Sequence, residues 1–345
     1  MKLVSFKNKS GQERAGLFVN EQTIDLADAA KELSFSLPSD MNSFLEGSEK
    51  FMNLARQVEH AFMEEKLDAK LSVKKSSLTP LAPVPHPPSC RNAYAFRQHV
   101  ATARRNRGAE MIPEFDQFPV FYFTNHNAIF GEGDIVVESD HLQKLDFELE
   151  AAIVIGKKGK NISSEDADDY IAGYTIMNDF SARILQMEEM KLNLGPAKGK
   201  DFATAIGPWL VTPDELQKHR INSEFGLKHN LTMSACHNGK QISDGNLGDM
   251  NWTFAEIIER ASYGVELFPG DIIGSGTVGT GCYLELNGTK ALGAKQRGEE
   301  YTPVWLQAGD TIELEITGLG RLKNRIVKAR QEHSILAKKK ETVIA

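Results

Sequence analysis

Residues 146 to 155 are Asp146-Phe-Glu-Leu-Glu-Ala-Ala-Ile-Val-Ile155, which combine a polar start with an unbroken apolar run. The β-branched residues at the end of this run predict a buried strand. Alternate residues of a strand point the same way and lie about 6.6 Å apart, so Glu148 and Glu150 share one face. A third acid would allow this pair to hold a hard cation, because Mg2+ and Ca2+ prefer oxygen ligands. An isolated Glu-x-Glu pair is more often a solvated strand edge, so the downstream residues decide between the two interpretations.

The third acid is predicted to be Asp179, which lies in residues 173–186, Gly-Tyr-Thr-Ile-Met-Asn-Asp-Phe-Ser-Ala-Arg-Ile-Leu-Gln. This pattern predicts a strand that ends near Asn178 and turns into a helix. The candidate helix caps are Asn178, Asp179 and Ser181. Arg183 and Gln186 would be neighbours on that helix and would face the same cleft as Asp179.

A loop rich in Gly and Pro follows, Leu194-Gly-Pro-Ala-Lys-Gly-Lys200. Such a loop is typical of a segment that delivers its last residue, here Lys200, to a site and not to a core. This order of functional groups indicates an enzyme, because it combines carboxylates with a guanidinium, an amide and an ammonium group.

Several stretches resemble the fumarylacetoacetate hydrolase family, in the family's order and at near-family spacing. The most specific are Leu-Asp-Phe-Glu-Leu-Glu-Ala-Ala at 145–152, Met-Asn-Asp-Phe-Ser-Ala-Arg at 177–183, and Leu-Gly-Pro-Ala-Lys-Gly-Lys-Asp-Phe-Ala-Thr at 194–204. The likeness continues through 239–250, 267–285 and 309–320. It implies an α+β, β-rich fold, in which a mixed β-roll or sandwich forms the catalytic domain of what is usually a homodimer.

The resemblance also implies a cofactor, because the family binds Mg2+ or Ca2+ through a Glu-x-Glu pair and a following Asp. In the segment 91–99, Arg-Asn-Ala-Tyr-Ala-Phe-Arg-Gln-His, Asn92 stands where the hydrolase itself has a fourth acid. An amide oxygen can still bind a hard cation, but the lost charge weakens the site. The metal set implied by the resemblance is Glu148, Glu150, Asp179, Asn92, Lys200 and Thr204.

His99 matches the family's catalytic histidine, which a glutamate on a late strand orients, here Glu285. A carboxylate behind an imidazole fixes its tautomer and raises its basicity, so the pair can activate water. By resemblance, the residues that stabilise oxyanion and enolate charge are Arg183, Gln186 and Lys200. Those that hold the substrate are Tyr94, Tyr122, Thr277, Arg183 and Gln186. Tyr122 fits a plain core strand equally well.

The expected reaction is metal-dependent cleavage of a carbon–carbon bond in a 1,3-diketo acid such as fumarylacetoacetate. The alternative on the same metal platform is decarboxylation of oxaloacetate-like acids or isomerisation of keto acids, in which an enolate forms without addition of water. The His99–Glu285 pair and the long segment 100–117 favour the hydrolase. A third hypothesis is a non-catalytic binding protein that has lost its metal through Asn92.

A glycine-rich segment, residues 274–281, resembles a dinucleotide-binding loop. However, the following Cys282-Tyr-Leu-Glu-Leu-Asn-Gly288 predicts a strand and a turn, and not the helix whose N-terminus would bind a pyrophosphate. The glycines are instead expected to let the backbone approach the substrate.

Composition excludes other classes of protein. A net charge of -7 argues against nucleic-acid binding, and the cluster Arg104, Arg105 and Arg107 suits a solvated helix face or a contact to an anionic substrate. Three widely spaced cysteines argue against a disulfide framework or a zinc site. No apolar segment reaches the ~18 residues that span a bilayer, so the protein is expected in the cytoplasm, without a membrane partner.

The domain prediction is a small α+β domain at 1–77, a Pro-rich linker at 78–89, a catalytic domain at 90–335 and a tail at 336–345. Within the first domain, alternating residues predict strands at 2–6, 15–19 and 23–26, and amphipathic stretches predict helices at 41–54 and 58–65. Three Gly-Asp pairs, at 133, 270 and 309, are predicted to be turns that lead into strands.

Overall fold

A long mixed sheet runs through the protein, and its central strands are fully buried. The computed structural model describes residues 1–74 and 77–336. All of the predicted tail except Leu336 therefore lies outside the described residues. No helix in the described ranges is both long and apolar enough to cross a bilayer.

The N-terminal segment is a small mixed unit. Its elements are β1 Lys2–Lys7, β2 Glu13–Val19, β3 Gln22–Asp25, α1 Leu26–Glu32, α2 Met41–Glu46, α3 Ser48–Met63, β4 Ser72–Lys74 and β5 Thr79–Pro80. The three predicted strands are confirmed, but Leu26 begins a helix that the sequence analysis missed. Asp25 caps this helix by accepting a hydrogen bond from the Asp28 N–H. The two predicted helices are divided differently, because the chain breaks at Gly47 and then runs on as one helix to Met63.

The middle of the chain supplies most of the central strands. Its elements are β6 Cys90–Ala93, α4 Arg97–Arg105, β7 Phe121–Thr124, β8 Ile129–Phe130, β9 Gly133–Val137, α5 Ser139–Leu142, β10 Leu145–Asp146, β11 Leu149–Ile155, β12 Gly159–Lys160, β13 Ile171–Asp179, β14 Ser181–Ala182 and α6 Arg183–Met190. All seven residues of β11 are buried, as its apolar run predicts.

The last third of the chain completes both sheets. Its elements are β15 Thr204–Val211, β16 Arg220–Ile221, β17 Lys228–His229, β18 Thr232–His237, β19 Lys240–Asn246, α7 Phe254–Ser262, β20 Glu266–Leu267, β21 Ile272–Gly274, α8 Tyr283–Arg297, β22 Thr311–Ile316 and β23 Gly320–Lys328. Each predicted Gly-Asp turn is present, since Gly133, Gly270 and Gly309 have φ values of 128°, 93° and 94° and lead into β9, β21 and β22.

Two sheets share one core. The main sheet has the order β4-β3-β2-β1-β15-β13-β11-β21-β6-β7, and a five-stranded sheet has the order β19-β18-β22-β23-β9. Buried residues of β11 and β13, such as Ile153 and Ile176, belong to the same apolar cluster as Ile312 and Leu314 of the smaller sheet. The predicted β-rich α+β class is confirmed.

The N-terminal strands extend the catalytic sheet. β1 pairs antiparallel with β15, with Leu3 opposite Leu210. Leu3 also lies in one apolar cluster with Val154 of β11 and Ile206 of β15. The Pro-rich linker forms only the two-residue strand β5, which pairs with β1. The domain boundary remains a prediction, but the segments on either side of it share backbone hydrogen bonds and a core.

We expect the substitution Leu3→Ala to lower the free energy of unfolding by about 2–5 kcal/mol, because it leaves a cavity in a core that both segments build. Chemical denaturation followed by circular dichroism should show one transition for the whole chain. Val136→Ala is the control, since Val136 is 59% exposed and should have little effect. A separate early transition of the N-terminal segment would contradict the shared core.

Candidate active site

Three buried carboxylates converge where two paired strands meet. Glu148 immediately precedes β11, Glu150 lies in it, and Asp179 ends β13, which pairs antiparallel with β11. Oxygens of the three carboxylates lie within 4.8 Å of one another. The structure thus brings together the three acids that the sequence predicted to converge, although Asp179 belongs to the strand and not to the following helix.

Two cations neutralise part of this cluster. Lys200 Nζ donates hydrogen bonds to Glu148 Oε2 at 2.6 Å and to Asp179 Oδ2 at 2.8 Å. Arg183 Nη2 donates to Glu148 Oε1 at 2.8 Å. Burial lowers the pKa of Lys200, but Asp179 and Glu148 outweigh it, so that the pKa is raised above its usual value. A charged ammonium has no lone pair to offer a metal, so in this arrangement Lys200 pairs with the acids, and its role as a metal ligand stays a prediction.

The two glutamates experience opposite electrostatic environments. Burial raises the pKa of Glu148, but the charges of Lys200 and Arg183 overcome this and hold the pKa well below its usual range. Burial and the charges of Asp179 and Glu148 together raise the pKa of Glu150 well above its usual value. Glu150 is therefore the acid of the cluster whose negative charge is poorly compensated.

Two carboxylate oxygens of the cluster, Glu150 Oε2 and Asp179 Oδ1, have no hydrogen-bond partner among the described residues. Both are buried, and a buried acceptor without a partner costs free energy. A set of negatively charged oxygen donors suits a hard divalent cation such as Mg2+ or Ca2+. The residues present therefore fit the cation that the family implies, with Glu148, Glu150 and Asp179 as its ligands.

Asn92, on β6, donates hydrogen bonds to the cluster. Its Nδ2 donates to Glu150 Oε1 at 3.1 Å and to Asp179 Oδ2 at 2.9 Å. Its Oδ1 accepts from the Gly276 backbone N–H at 3.1 Å. The amide nitrogen, and not the oxygen, faces the acids, which does not match the predicted role of Asn92 as an oxygen ligand. Asn92 instead positions two acids and reduces their repulsion.

Hydroxyl groups contribute further contacts. The Tyr122 hydroxyl donates to Asp179 Oδ2, so this β7 residue is more than a core-strand residue. Thr277 Oγ1 donates to Glu150 Oε1 at 3.3 Å. Thr204 is buried and lies opposite Asp179 in the register of β13 and β15. A contribution of Thr204 to the metal shell stays a prediction.

The helix that carries Arg183 begins without a side-chain cap. The short strand β14 separates α6 from β13, so none of the three proposed cap residues fills that role. Ser181 Oγ instead donates to the backbone oxygen of Asp179 at 3.0 Å. The predicted proximity on the helix is present, since Arg183 Nη1 donates to Gln186 Oε1 at 2.9 Å.

His99 and Glu285 form a buried pair. His99 Nδ1 lies 2.6 Å from Glu285 Oε2, and Glu285 Oε1 accepts from the Thr280 backbone N–H at 3.0 Å. Glu285 lies in the first turn of α8, and not on the strand that the sequence analysis expected. Because Glu285 engages Nδ1, Nε2 is the imidazole nitrogen left to exchange a proton with a bound molecule.

The N-terminus of α8 is occupied by Asp146. Its Oδ1 accepts from the Tyr283 N–H at 2.7 Å, and its Oδ2 accepts from the Leu284 N–H at 2.9 Å and from Arg183 Nε at 2.9 Å. The segment after residues 274–281 is thus a helix, and the predicted strand is wrong. A dinucleotide remains excluded on another ground, because the amides that would bind a pyrophosphate already bind a carboxylate. Sequence analysis gave Asp146 no role.

A cavity of about 530 Å³ connects these groups. Its polar lining residues are Asn92, Tyr94, His99, Arg107, Tyr122, Glu148, Glu150, Arg183, Gln186, Lys200 and Thr277. Tyr94 packs edge-on against His99, with ring centroids 6.2 Å apart. Of the three clustered arginines, Arg107 lines the cavity and Arg105 is exposed to solvent. Acids, buried cations and an imidazole thus face a space of the size that holds a small organic acid.

We expect Mg2+ or Ca2+ to raise the melting temperature of the protein, because a ligand that binds only the folded state stabilises it. The substitution Glu150→Gln should abolish this rise. At a pH high enough to ionise Glu150, it should also raise the melting temperature of the metal-free protein, because it removes a buried charge that burial and the neighbouring acids disfavour. Differential scanning calorimetry with and without a chelator measures both effects.

Glu165→Gln is the control for this experiment, because Glu165 is exposed and lies outside the cluster. In the wild-type protein the cation must compete with the proton on Glu150, whose pKa is raised by burial and neighbouring acids. The temperature shift should therefore grow as the pH rises. An unchanged shift in Glu150→Gln would contradict the assignment of the cation to this cluster.

Residues 90–327 match the protein family described as Fumarylacetoacetate (FAA) hydrolase C-terminal. Among curated relatives, the oxaloacetate tautomerase YisK of Bacillus subtilis (strain 168) is 32% identical over 322 residues, which cover 90% of this chain and 95% of the relative. The human mitochondrial oxaloacetate tautomerase FAHD2A is 30% identical over 294 residues, which cover 85% of this chain and 81% of the relative.

Solved structures show the same fold. A fumarylacetoacetate hydrolase from the psychrophilic Exiguobacterium antarcticum superposes with a TM-score of 0.67 at 24% identity, covering 95% of this chain and 100% of that one. A putative HpcE protein from Mycobacterium smegmatis gives a TM-score of 0.68 at 23% identity with the same coverage. The family match spans more than half of the chain and includes the three acids, the His99–Glu285 pair and the residues that line the cavity. The chain therefore belongs to the fumarylacetoacetate hydrolase family.

Proposed function

We propose that the protein is a metal-dependent tautomerase that interconverts the keto and enol forms of oxaloacetate or a closely related 2-oxo dicarboxylic acid. The proposal takes up the alternative of the sequence analysis, an isomerisation through an enolate, in place of carbon–carbon hydrolysis. Its support from similarity is that both curated relatives described above, at 32% and 30% identity over most of this chain, are named oxaloacetate tautomerases.

The observation that carries the proposal is that His99, which is paired with Glu285, lines one cavity together with Glu148 and Glu150 of the acidic cluster. Tautomerisation moves a proton between C3 of the 2-oxo acid and the oxygen on C2, and it passes through an enolate. It needs a group that takes and returns one proton, and a place that stabilises the enolate charge. The cavity lining offers both, and the reaction consumes no water.

His99 is the proton carrier in this proposal. Glu285 holds Nδ1, which fixes the tautomer and directs Nε2 toward a bound molecule. Glu285 is itself held by the Thr280 N–H, so the imidazole is oriented before any substrate binds. Nε2 can then take a proton from C3 and return it to the enolate oxygen, or carry it in the reverse direction.

Positive charge near the acids stabilises the enolate. Glu148, Glu150 and Asp179 would hold the cation, which supplies polarisation of the substrate's oxygen atoms when it is bound. Lys200 and Arg183 are both buried and charged, so they act in a medium that screens them little.

Gln186 and two hydroxyls would orient the substrate. Gln186 accepts from Arg183 through Oε1, which leaves its amide N–H groups to donate into the cavity. Tyr94 and Thr277 line the same cavity, and burial raises the pKa of Tyr94, which keeps its hydroxyl protonated as a donor. These donors suit the carboxylate groups of a dicarboxylic acid.

We expect the Mg2+-loaded protein to accelerate exchange of the C3 hydrogens of oxaloacetate with D2O, because each enolisation exposes C3 to a solvent-derived deuteron. Proton NMR measures the exchange, and a chelator should reduce it to the background rate. Carbon dioxide release and loss of the ultraviolet absorption of fumarylacetoacetate, measured on the same preparation, report decarboxylation and hydrolysis. Fumarylacetoacetate cleavage without accelerated exchange would reverse the proposal in favour of the hydrolase.

We expect His99→Ala to slow enolisation by about 10²–10⁴-fold, the range that a positioned general acid–base contributes. Glu285→Gln should slow it less, because the imidazole remains but loses its orienting charge. Both variants should keep the Mg2+-induced rise in melting temperature, since neither His99 nor Glu285 is among the three acids proposed to hold the cation. Normal enolisation by His99→Ala would show that another group carries the proton.

A homodimer and a cytoplasmic location, both expected from the sequence, remain predictions.

A further inference from the structure

Cys282 lies beside the catalytic pair. It is the residue immediately before α8 and therefore one helical turn from Glu285. Cys282 Sγ, an imidazole nitrogen of His99 and a carboxylate oxygen of Glu285 all lie within 4.8 Å of one another. The three residues are at most 6% exposed. The tautomerase mechanism uses the imidazole and the carboxylate but leaves the thiol without a role.

The three donor atoms are of the kinds that zinc prefers. Mg2+ and Ca2+ select oxygen ligands, whereas a sulfur, a nitrogen and an oxygen together suit a softer, tetrahedral ion. Typical zinc bond lengths place neighbouring ligand atoms of a tetrahedron about 3.3–3.5 Å apart. The three donor atoms lie within 4.8 Å of one another, and His99 Nδ1 and Glu285 Oε2 are 2.6 Å apart, so side-chain rotations must open this hydrogen bond to give the tetrahedral distances.

We propose that Cys282, His99 and Glu285 form a second metal site, selective for Zn2+ and similar thiophilic divalent ions, and that its occupation inhibits the enzyme. The site is separate from the acidic cluster of Glu148, Glu150 and Asp179. A zinc ion bound there engages the His99 imidazole and the Glu285 carboxylate, so the pair can no longer carry a proton. The fourth position of the zinc ion is left to water or to a substrate oxygen.

The proposed zinc ligands are far apart in the sequence. His99 lies on α4 and Cys282 precedes α8, and these two helices pack against each other. Three widely spaced cysteines do not indicate a zinc site in the sequence, because zinc motifs are recognised by closely spaced ligands. The fold brings together ligands that the sequence keeps far apart.

The Cys282 thiol is protonated when no zinc is bound. Burial raises the pKa of the Cys282 thiol well above its usual value, so the free protein holds the proton on sulfur. A zinc ion displaces this proton as it binds. A buried, protonated thiol is a poor nucleophile, because the thiolate is the reactive form.

Cobalt(II) is the probe that tests the site, because it takes the place of zinc and absorbs light. We expect the wild-type protein in saturating MgCl2, which fills the acidic cluster, to bind one equivalent of Co2+ with a thiolate-to-cobalt charge-transfer band in the near ultraviolet. One equivalent of ZnCl2 should remove the band. A cobalt complex without that band would overturn the proposal, and this result needs no variant.

Matched variants locate the site. Cys282→Ser and Cys282→Ala should abolish the band and weaken zinc binding by at least ~10–100-fold, which is the loss seen when even an outer partner of a metal ligand is removed. Cys236→Ser is the control, because Cys236 is a free thiol on β18 that does not belong to the His99–Cys282–Glu285 group and should leave the band unchanged. Glu150→Gln should also keep the band. A band that disappears in Cys236→Ser would overturn the assignment.

Inhibition is measured separately from binding. ZnCl2 should inhibit C3 exchange in the wild-type protein, and at least ~10-fold more zinc should be needed for the same fractional inhibition of Cys282→Ser. The cobalt spectrum requires no substrate. It therefore tests the zinc site independently of the reaction that the enzyme catalyses. Zinc binding at Cys282 without inhibition would overturn the regulatory part of the proposal.

Discussion

The site depends on the charge balance around Glu148. This buried carboxylate lies among other acids, and it is kept ionised by Arg183 on one oxygen and Lys200 on the other. Two buried cations would themselves be unfavourable without acids to pair with. Arg183 is paired in turn with Asp146, which also binds the first amides of α8. One network therefore joins the strand that carries the acids to the helix that carries Glu285.

Local pattern predicted much of this arrangement. The buried strand around Glu150, the delivery of Lys200 by a Gly- and Pro-rich loop, and the three Gly-Asp turns follow from residue preferences that act over a few positions. The same reasoning failed at α8, where alternation of apolar and polar residues imitates a strand. In the structure these residues form the first turn of α8, and both Tyr283 and Glu285 are buried. The alternating pattern therefore reflects burial within a helix and not a strand.

Long-range geometry was beyond local pattern. The pairing of β1 with β15 joins segments some 200 residues apart, and no residue near Leu3 encodes its partner Leu210. The reversed role of Asn92 depends on the Gly276 N–H, which fixes the amide oxygen and turns the nitrogen toward the acids. The reaction itself was also hidden, because an imidazole oriented by a carboxylate serves equally to activate water and to shuttle a proton. Hydrolysis requires a water molecule in the cavity and tautomerisation does not, and no sequence motif distinguishes these two cases.

Two sets of donor atoms each contribute a lining residue to this cavity, and the two sets differ in kind. The acidic cluster offers only oxygen atoms, two of which have no partner within residues 1–74 and 77–336, and so selects a hard cation. The pair beside it adds a thiol from Cys282 to an imidazole and a carboxylate, and so attracts a softer one. The property that makes His99 a good proton carrier, a basic nitrogen held in place by Glu285, also makes it a good ligand. An enzyme that keeps a cysteine at this position gains sensitivity to zinc from the same groups that give it catalysis.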